Sequence, residues 1–176
     1  MKFIKTKIDG AYIIETNKIV DERGFFINSW NKKKFHENNL EVNLTECNIA
    51  FNNKKGTIRG LHYQIPPYDG AKLVRCIRGS IWDVAVDLRP NSKTFKQWFS
   101  VELNEKNDKL NYIPPGCAHG YQTLDDNSEM LYLMSQEYML KYERGLKYND
   151  PVFNIPFPLK VSSISKKDMS WNFFES

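Results

Sequence analysis

Period-two alternation of side-chain character, broken at short intervals by turn residues, constrains the fold of this chain more than any other feature. In the run from Ile81 to Leu88, Trp82, Val84, Val86 and Leu88 share one face, while Ile81, Asp83, Ala85 and Asp87 share the other. Similar runs occur at Tyr12–Glu15, Val42–Cys47, Thr57–Gln64, Leu73–Ile77, Gln97–Leu103, Leu110–Ile113 and Met130–Ser135. Turn signals separate them: Arg78-Gly79-Ser80, Arg89-Pro90-Asn91-Ser92, Pro114-Pro115-Gly116 and Asp125-Asp126-Asn127. Many short strands spaced in this way predict an all-β sandwich or barrel. Only Asn31 to Asn38 has helical character, with a second short helix expected after Ser165. No repeat, low-complexity tract or linker interrupts the pattern, so residues 1–176 are read as one domain.

Composition excludes several function classes. The formal charge of +4 arises from 25 basic and 21 acidic residues spread along the chain. Its longest basic run is Lys32 to Lys34, far short of the dense stripe that nucleic acid requires. A mild excess of that kind suits an anionic small molecule. Cys47, Cys76 and Cys117 are odd in number and form no CxxC, which predicts free thiols in a reducing, cytoplasmic compartment. Cys76 lies in an apolar stretch and reads as a small core residue. Met1 to Asp9 has no apolar core behind its lysines, so no secretory signal is expected. No apolar run approaches the roughly 20 residues that a membrane span needs.

Chemistry concentrates in Gly56-Thr57-Ile58-Arg59-Gly60-Leu61-His62-Tyr63-Gln64. Arg59 and His62 flank Gly60, the residue type that lets another group approach the backbone closely. A guanidinium that can hold an anion stands beside an imidazole that can take a proton near neutral pH. The same residues are equally compatible with a strand-edge histidine and a surface arginine. The rest of the chain weighs on that choice. Asp21-Glu22-Arg23-Gly24-Phe25-Phe26 lies upstream; Ala71-Lys72-Leu73-Val74-Arg75-Cys76 and Trp82 to Arg89 follow. Ile113-Pro114-Pro115-Gly116-Cys117-Ala118-His119-Gly120 then leads to Leu131-Tyr132 and to Tyr148-Asn149-Asp150-Pro151.

In this order and spacing the chain resembles the nucleotide-diphospho-4-keto-sugar 3,5-epimerases, from roughly Asp21 to Asp168. The resemblance implies a double-stranded β-helix, a cupin-like jelly roll, which periodicity alone does not separate from other barrels. It also implies enolisation beside a ketone. A base removes a proton from C3 or C5, a cation holds the enolate oxygen, and an acid returns a proton to the opposite face. No cofactor is needed for that sequence. By resemblance, His62 is the base, Asp168 its carboxylate partner in Ser165-Lys166-Lys167-Asp168, Tyr132 the acid, and Lys72 the enolate-holding cation. Arg23, Arg59 and His119 match contacts to the diphosphate or pocket wall. Tyr138 matches an aromatic that stacks on the nucleobase, and Glu143 and Lys167 match further binding positions. Read without the family, Asp168 is a charged residue near a chain end, Tyr132 is one of nine tyrosines, and Arg23 and Lys72 are partners in surface salt bridges. The family also implies a homodimer in which one strand of each chain completes the partner's barrel, with Arg23 acting on the neighbouring site.

Metal-dependent cupins carry an His-x-His pair, which Leu61-His62-Tyr63-Gln64 lacks; the other histidines are only His36 and His119. No metal is expected. The chain departs from the dTDP-sugar enzymes at three places, two of which bear on the nucleotide. Asn28 stands where they have a nucleotide-binding glutamate, and Glu46-Cys47-Asn48-Ile49-Ala50-Phe51-Asn52 replaces a Gln-Asp-Asn-like segment, with Asn48 as its candidate contact. An amide both donates and accepts where a carboxylate only accepts. That leaves dTDP and GDP substrates open, with a lean toward a GDP-linked 4-keto heptose or 6-deoxy sugar of capsule or lipopolysaccharide synthesis. Beside Tyr138, Met139-Leu140 replaces the family's proline. The alternatives are a 3,4-ketoisomerase, which shares the enediol chemistry, and a non-catalytic sugar-nucleotide binding module.

Overall fold

A computed structural model describes residues 1–41 and 43–175. In chain order the strands are β1 (Lys2–Lys5), β2 (Tyr12–Glu15), β3 (Lys18–Asp21), β4 (Gly24–Ile27), β5 (Glu46–Asn52), β6 (Thr57–Gln64) and β7 (Lys72–Arg78). They continue as β8 (Ser80–Asp87), β9 (Trp98–Asn104), β10 (Lys109–Ile113), β11 (Cys117–Thr123), β12 (Ser128–Met134), β13 (Glu143–Gly145) and β14 (Ser163–Ile164). Two short helices, α1 (Lys32–Glu37) and α2 (Lys166–Ser170), complete the regular elements with one 3₁₀ turn at Leu140–Tyr142.

The strands form two facing sheets, as a jelly roll requires. One has the order β1-β2-β10-β7-β12-β5, the other β13-β6-β11-β8-β9 with β14 added in parallel to β6. Strands β3 and β4 form a separate hairpin. Most runs read from alternation coincide with strands, and β2 and β6 match to the residue. The strand expected at Val42–Cys47 lies later, at Glu46–Asn52, and Val42 itself is outside the described residues. Asn31 caps α1 by accepting from the Lys34 N–H at 3.0 Å, and Asn39, with φ of 57°, follows its C-terminus in the left-handed region.

Strand β8 shows why its two faces are both apolar. Ile81 and Ala85 point between the sheets, toward Val74, Phe99, Leu103 and Met130. Trp82, Val84 and Val86 point outward, where Leu61, Leu146, Phe153 and Ile155 cover them. A third cluster, centred on Phe35 of α1, covers the other sheet through Ile14, Leu73, Leu110 and Tyr112. The segment after β13 and helix α1 thus act as outer layers. Strand β11 is buried along its whole length, Cys117 to Thr123, and its mixture of glycine, histidine and glutamine gave no alternation to read. Gln122 is accommodated because its amide exchanges two 2.9 Å hydrogen bonds with the backbone of Leu159.

Gly60 and Gly120 let β6 and β11 pass each other closely. Gly60 has φ of +121°, and a Cβ there would meet the Gly120 Cα at 2.6 Å and the His119 carbonyl at 2.8 Å. Gly60→Ala is therefore expected to lower the unfolding free energy by at least about 1–3 kcal/mol from backbone strain alone. Urea denaturation at constant m-value measures it, and an unchanged midpoint contradicts the close approach.

Candidate active site

Between the sheets lies a cavity of about 430 Å³, open to solvent at one side. Strand β6 supplies Arg59, His62 and Gln64, β7 supplies Lys72, β11 supplies His119, and β5 and β12 supply Asn48 and Tyr132. His62 and Tyr132 stand on different sheets and so border the space from two sides. Tyr138, Glu143 and Lys167 also line it. Among the described residues no group of three or more His, Cys, Asp or Glu side chains is placed to hold a metal ion.

The His62 Nε2 lies 2.6 Å from the Asp168 Oδ1. Asp168 is buried, and its other oxygen accepts the Gly60 N–H at 3.3 Å. It belongs to α2, whose N-cap Ser165 accepts the Asp168 N–H at 2.9 Å. Burial pushes the Asp168 pKa up, but the His62 hydrogen bond and charge, the Gly60 N–H and Ser165 together hold it below the ordinary carboxylate value. An ionised carboxylate bound to one ring nitrogen fixes the tautomer and stabilises the imidazolium that proton uptake creates.

Lys72 donates from Nζ to the His62 carbonyl at 3.0 Å. Burial pushes its pKa down to about 8, against the opposing pull of Asp83, Glu143 and Cys117. Tyr132 pairs in register with Asn48, and burial raises its pKa more than Arg59 lowers it, so the phenol keeps its proton at neutral pH. Arg59 is held by Asn52 Oδ1, which accepts from its Nε at 2.8 Å, and by the Phe51 carbonyl at 3.3 Å. His119 binds Asp83 at 2.7 Å, and Asp83 accepts from the Asn111 amide at 2.8 Å. Glu143 accepts from the Tyr138 hydroxyl at 2.7 Å and from Lys167 at 2.5 Å. Burial raises the Glu143 pKa, and those two donors bring it below the ordinary value.

Ten of the twelve residues expected in the site are thus brought together. Arg23 and Asn28 are not: Arg23 sits in the exposed turn of the β3–β4 hairpin, paired with Asp21, and Asn28 follows β4, also exposed. The departures in the β5 segment acquire a use. Glu46 accepts the Tyr138 N–H at 2.8 Å and the Asn48 amide at 3.1 Å, while Gln64 accepts the Met139 N–H at 2.6 Å. Side chains therefore anchor the segment that lacks a proline. Glu46, Gln64 and Asp83 are further site residues that the sequence does not mark, because each acts through a contact far away in sequence, and Asn52, which holds Arg59 from across the β5–β6 turn, carries no motif.

The catalytic-type pair, the cation and the phenol converge in one cavity of a jelly roll. A family model described as dTDP-4-dehydrorhamnose 3,5-epimerase matches residues 5–176. The chain belongs to the dTDP-4-dehydrorhamnose 3,5-epimerase family. It is 43% identical over 173 residues to the enzyme of that description from Methanothermobacter thermautotrophicus, covering 97% of this chain and 92% of that one. The crystal structure of a dTDP-4-dehydrorhamnose 3,5-epimerase from Bacillus anthracis, with TDP and PPi bound, superposes with a TM-score of 0.95. Its identity is 35%, and 98% of this chain and 99% of that chain are covered. A dTDP-6-deoxy-D-glucose-3,5-epimerase from Legionella pneumophila, in complex with dTDP-4-keto-L-rhamnose, gives 0.92 at 36% identity over 98% and 92% of the two chains. The protein is an isomerase of the epimerase class, built on the cupin-like jelly roll of this family.

The Lys72 shift has a stability signature of its own. Its folded value near 8 lies below the ordinary 10.5, so between those pH values the unfolded chain binds the extra proton. Stability from this group therefore rises as pH increases across that window. Relative to Lys72→Met, the wild-type protein is expected to gain stability from pH 8 to 10.5. Parallel urea titrations check it, and a constant difference refutes the shift.

Proposed function

We propose that this epimerase converts a dTDP-linked 4-keto-6-deoxy sugar by proton transfer at C3, C5 or both, with His62 as general base and Tyr132 as general acid. What carries the proposal is the 2.6 Å contact between His62 and the buried Asp168, at the edge of a cavity whose other sheet presents Tyr132. His62 takes the proton made acidic by the adjacent ketone, and the C–H electron pair moves into the enolate. Lys72 holds the negative oxygen through its ammonium. Tyr132 then gives its phenolic proton to the carbon from the other side, and the configuration inverts. Arg59 and His119 hold the diphosphate or shape its pocket, and Tyr138, Asn48, Glu143 and Lys167 form the nucleotide end.

The thymidine base is favoured over guanine. The Bacillus anthracis and Legionella pneumophila structures carry TDP or a dTDP sugar, and Asn28, the main ground for guanine, lies outside this chain's own cavity. A GDP-linked 4-keto heptose is the second reading, supported by Asn28 and the altered Glu46-Cys47-Asn48 segment. The complete His62, Tyr132 and Asp168 set supports epimerisation over 3,4-ketoisomerisation or mere binding. The product is assigned to deoxy-sugar supply for a surface glycan such as capsule or lipopolysaccharide. Three free cysteines among the described residues support work in the cytoplasm, and no helix described is long and apolar enough to cross a membrane.

A homodimer completes the site. Ile19, Val20, Phe25 and Phe26 stand exposed on the β3–β4 hairpin, and Ile49 and Phe51 stand exposed on β5, at an open sheet edge. A second copy would cover both and carry Arg23 toward the neighbouring cavity. Sedimentation at micromolar concentration is expected to give a dimer, and Phe26→Asp a weakened one with raised KM. A wild-type monomer refutes this arrangement.

The chemistry is tested by incubating dTDP- and GDP-linked 4-keto sugars separately in D2O. Deuterium is expected at C3, C5 or both with the dTDP sugar. His62→Asn should reduce the incorporation by about 10²–10⁴-fold while leaving dTDP binding nearly intact. Undiminished exchange in that variant removes His62 as base, and label with the GDP sugar alone restores the second reading. The rate should fall above pH 8 as Lys72 loses its proton. That alkaline limb should move upward in Lys72→Arg.

A further inference from the structure

Trp171 immediately follows α2, three residues beyond Asp168, and its ring meets the His62 imidazole edge-on at a centroid distance of 6.3 Å and an interplanar angle of 67°. The space it fills belongs to Gly145. In the β13–β6 register Gly145 is the direct partner of His62. A Cβ built on Gly145 would fall inside the indole, against Cε2, Cδ2 and Nε1. Gly145 carries no positive φ that demands glycine, so what excludes a side chain here is the Trp171 ring. Among the described residues the buried indole N–H meets no acceptor. An unpaired buried N–H is costly, so steric fit rather than hydrogen bonding seats the ring.

We propose that Trp171, seated over the bare backbone of Gly145, is a positioning residue for the His62–Asp168 pair. The inference rests on the assignment of His62 as base. The indole closes one side of the imidazole and ties the segment that carries Asp168 to β13. It thereby keeps water away from the 2.6 Å contact and limits the rotation of the ring. Sub-ångström loosening of a base relative to the proton it removes costs rate, not affinity.

The experiment compares Trp171→Ala, Trp171→Phe, Gly145→Ala and the Trp171→Ala/Gly145→Ala double variant by steady-state kinetics. Trp171→Ala and Gly145→Ala are each expected to lower kcat by about 10–100-fold with KM within about threefold of wild type. The double variant should be no slower than the worse single one, because both changes remove one contact. Trp171→Phe, which keeps a ring without the N–H, should recover most of the loss. If Trp171→Ala does not fold, Gly145→Ala and Trp171→Phe carry the same comparison. A kcat within twofold of wild type, a rise in KM alone, or additive losses overturn the proposal.

A substrate-free signal separates this failure from failure of the base assignment. Trp171 emission, taken as wild type minus Trp171→Phe, should be quenched as the imidazole protonates and be independent of pH in His62→Asn. A pH-independent signal in the wild type overturns the contact. A normal signal together with undiminished turnover in His62→Asn overturns the base assignment instead.

Discussion

Strand β6 can work only because its neighbours come close on both edges. It pairs with β11 on one side and with β13 and β14 on the other, and three of those contacts pass over glycine. Gly60 against Gly120 allows the first. Gly145 opposite His62 leaves room for the C-terminal segment, and Gly56 lies against the Lys160 carbonyl and Ser162 just before β14. A side chain at any of these points would push away an element that carries a functional group. The order of the site therefore begins in backbone that has nothing attached to it.

Two kinds of force then act on the side chains that β6 and its partners present. Dispersion and burial hold the frame, through clusters between the sheets and outside each of them. Electrostatics in the cavity are opposed pairs. Burial disfavours the charges of Asp168, Glu143 and Lys72, and specific partners restore the two carboxylates while Lys72 stays displaced. The result is two anions kept charged beside one cation whose proton is held less firmly. In the proposed mechanism that asymmetry lets Lys72 stabilise a transient negative oxygen without trapping it.

The sequence revealed the strands whose two faces differ in burial or are both apolar, such as β2, β6 and β8. It concealed β11, where buried histidine, glutamine and threonine break the pattern, and the hairpin β3–β4, whose apolar residues point to solvent. The residues that touch the cavity directly were legible because local motifs surround them: Arg59 and His62 in one strand, His119 after the Pro-Pro-Gly turn. Asp168 was legible only by resemblance, since the contact that gives it a role spans 106 residues. Residues that support others, such as Asp83 behind His119 or Glu46 behind Tyr138, were hidden for the same reason. Their partners are set by topology rather than by neighbours in sequence.

That long span has a further consequence. The imidazole proposed as base is in the middle of the chain, and its carboxylate sits on a five-residue helix held by the Ser165 cap, the Gly60 N–H, the Lys167–Glu143 ion pair and the Trp171 indole. That segment adds no strand to either sheet beyond β14, whereas the imidazole draws its carboxylate from it. Local opening of that segment is the event that would separate competence from compactness, since it takes the carboxylate from the imidazole and leaves the paired strands of the two sheets in place. In the opened form the aspartate regains water and the histidine becomes an ordinary surface imidazole. The enzyme's working state is thus a smaller set than its folded state, bounded by the docking of a single short helix.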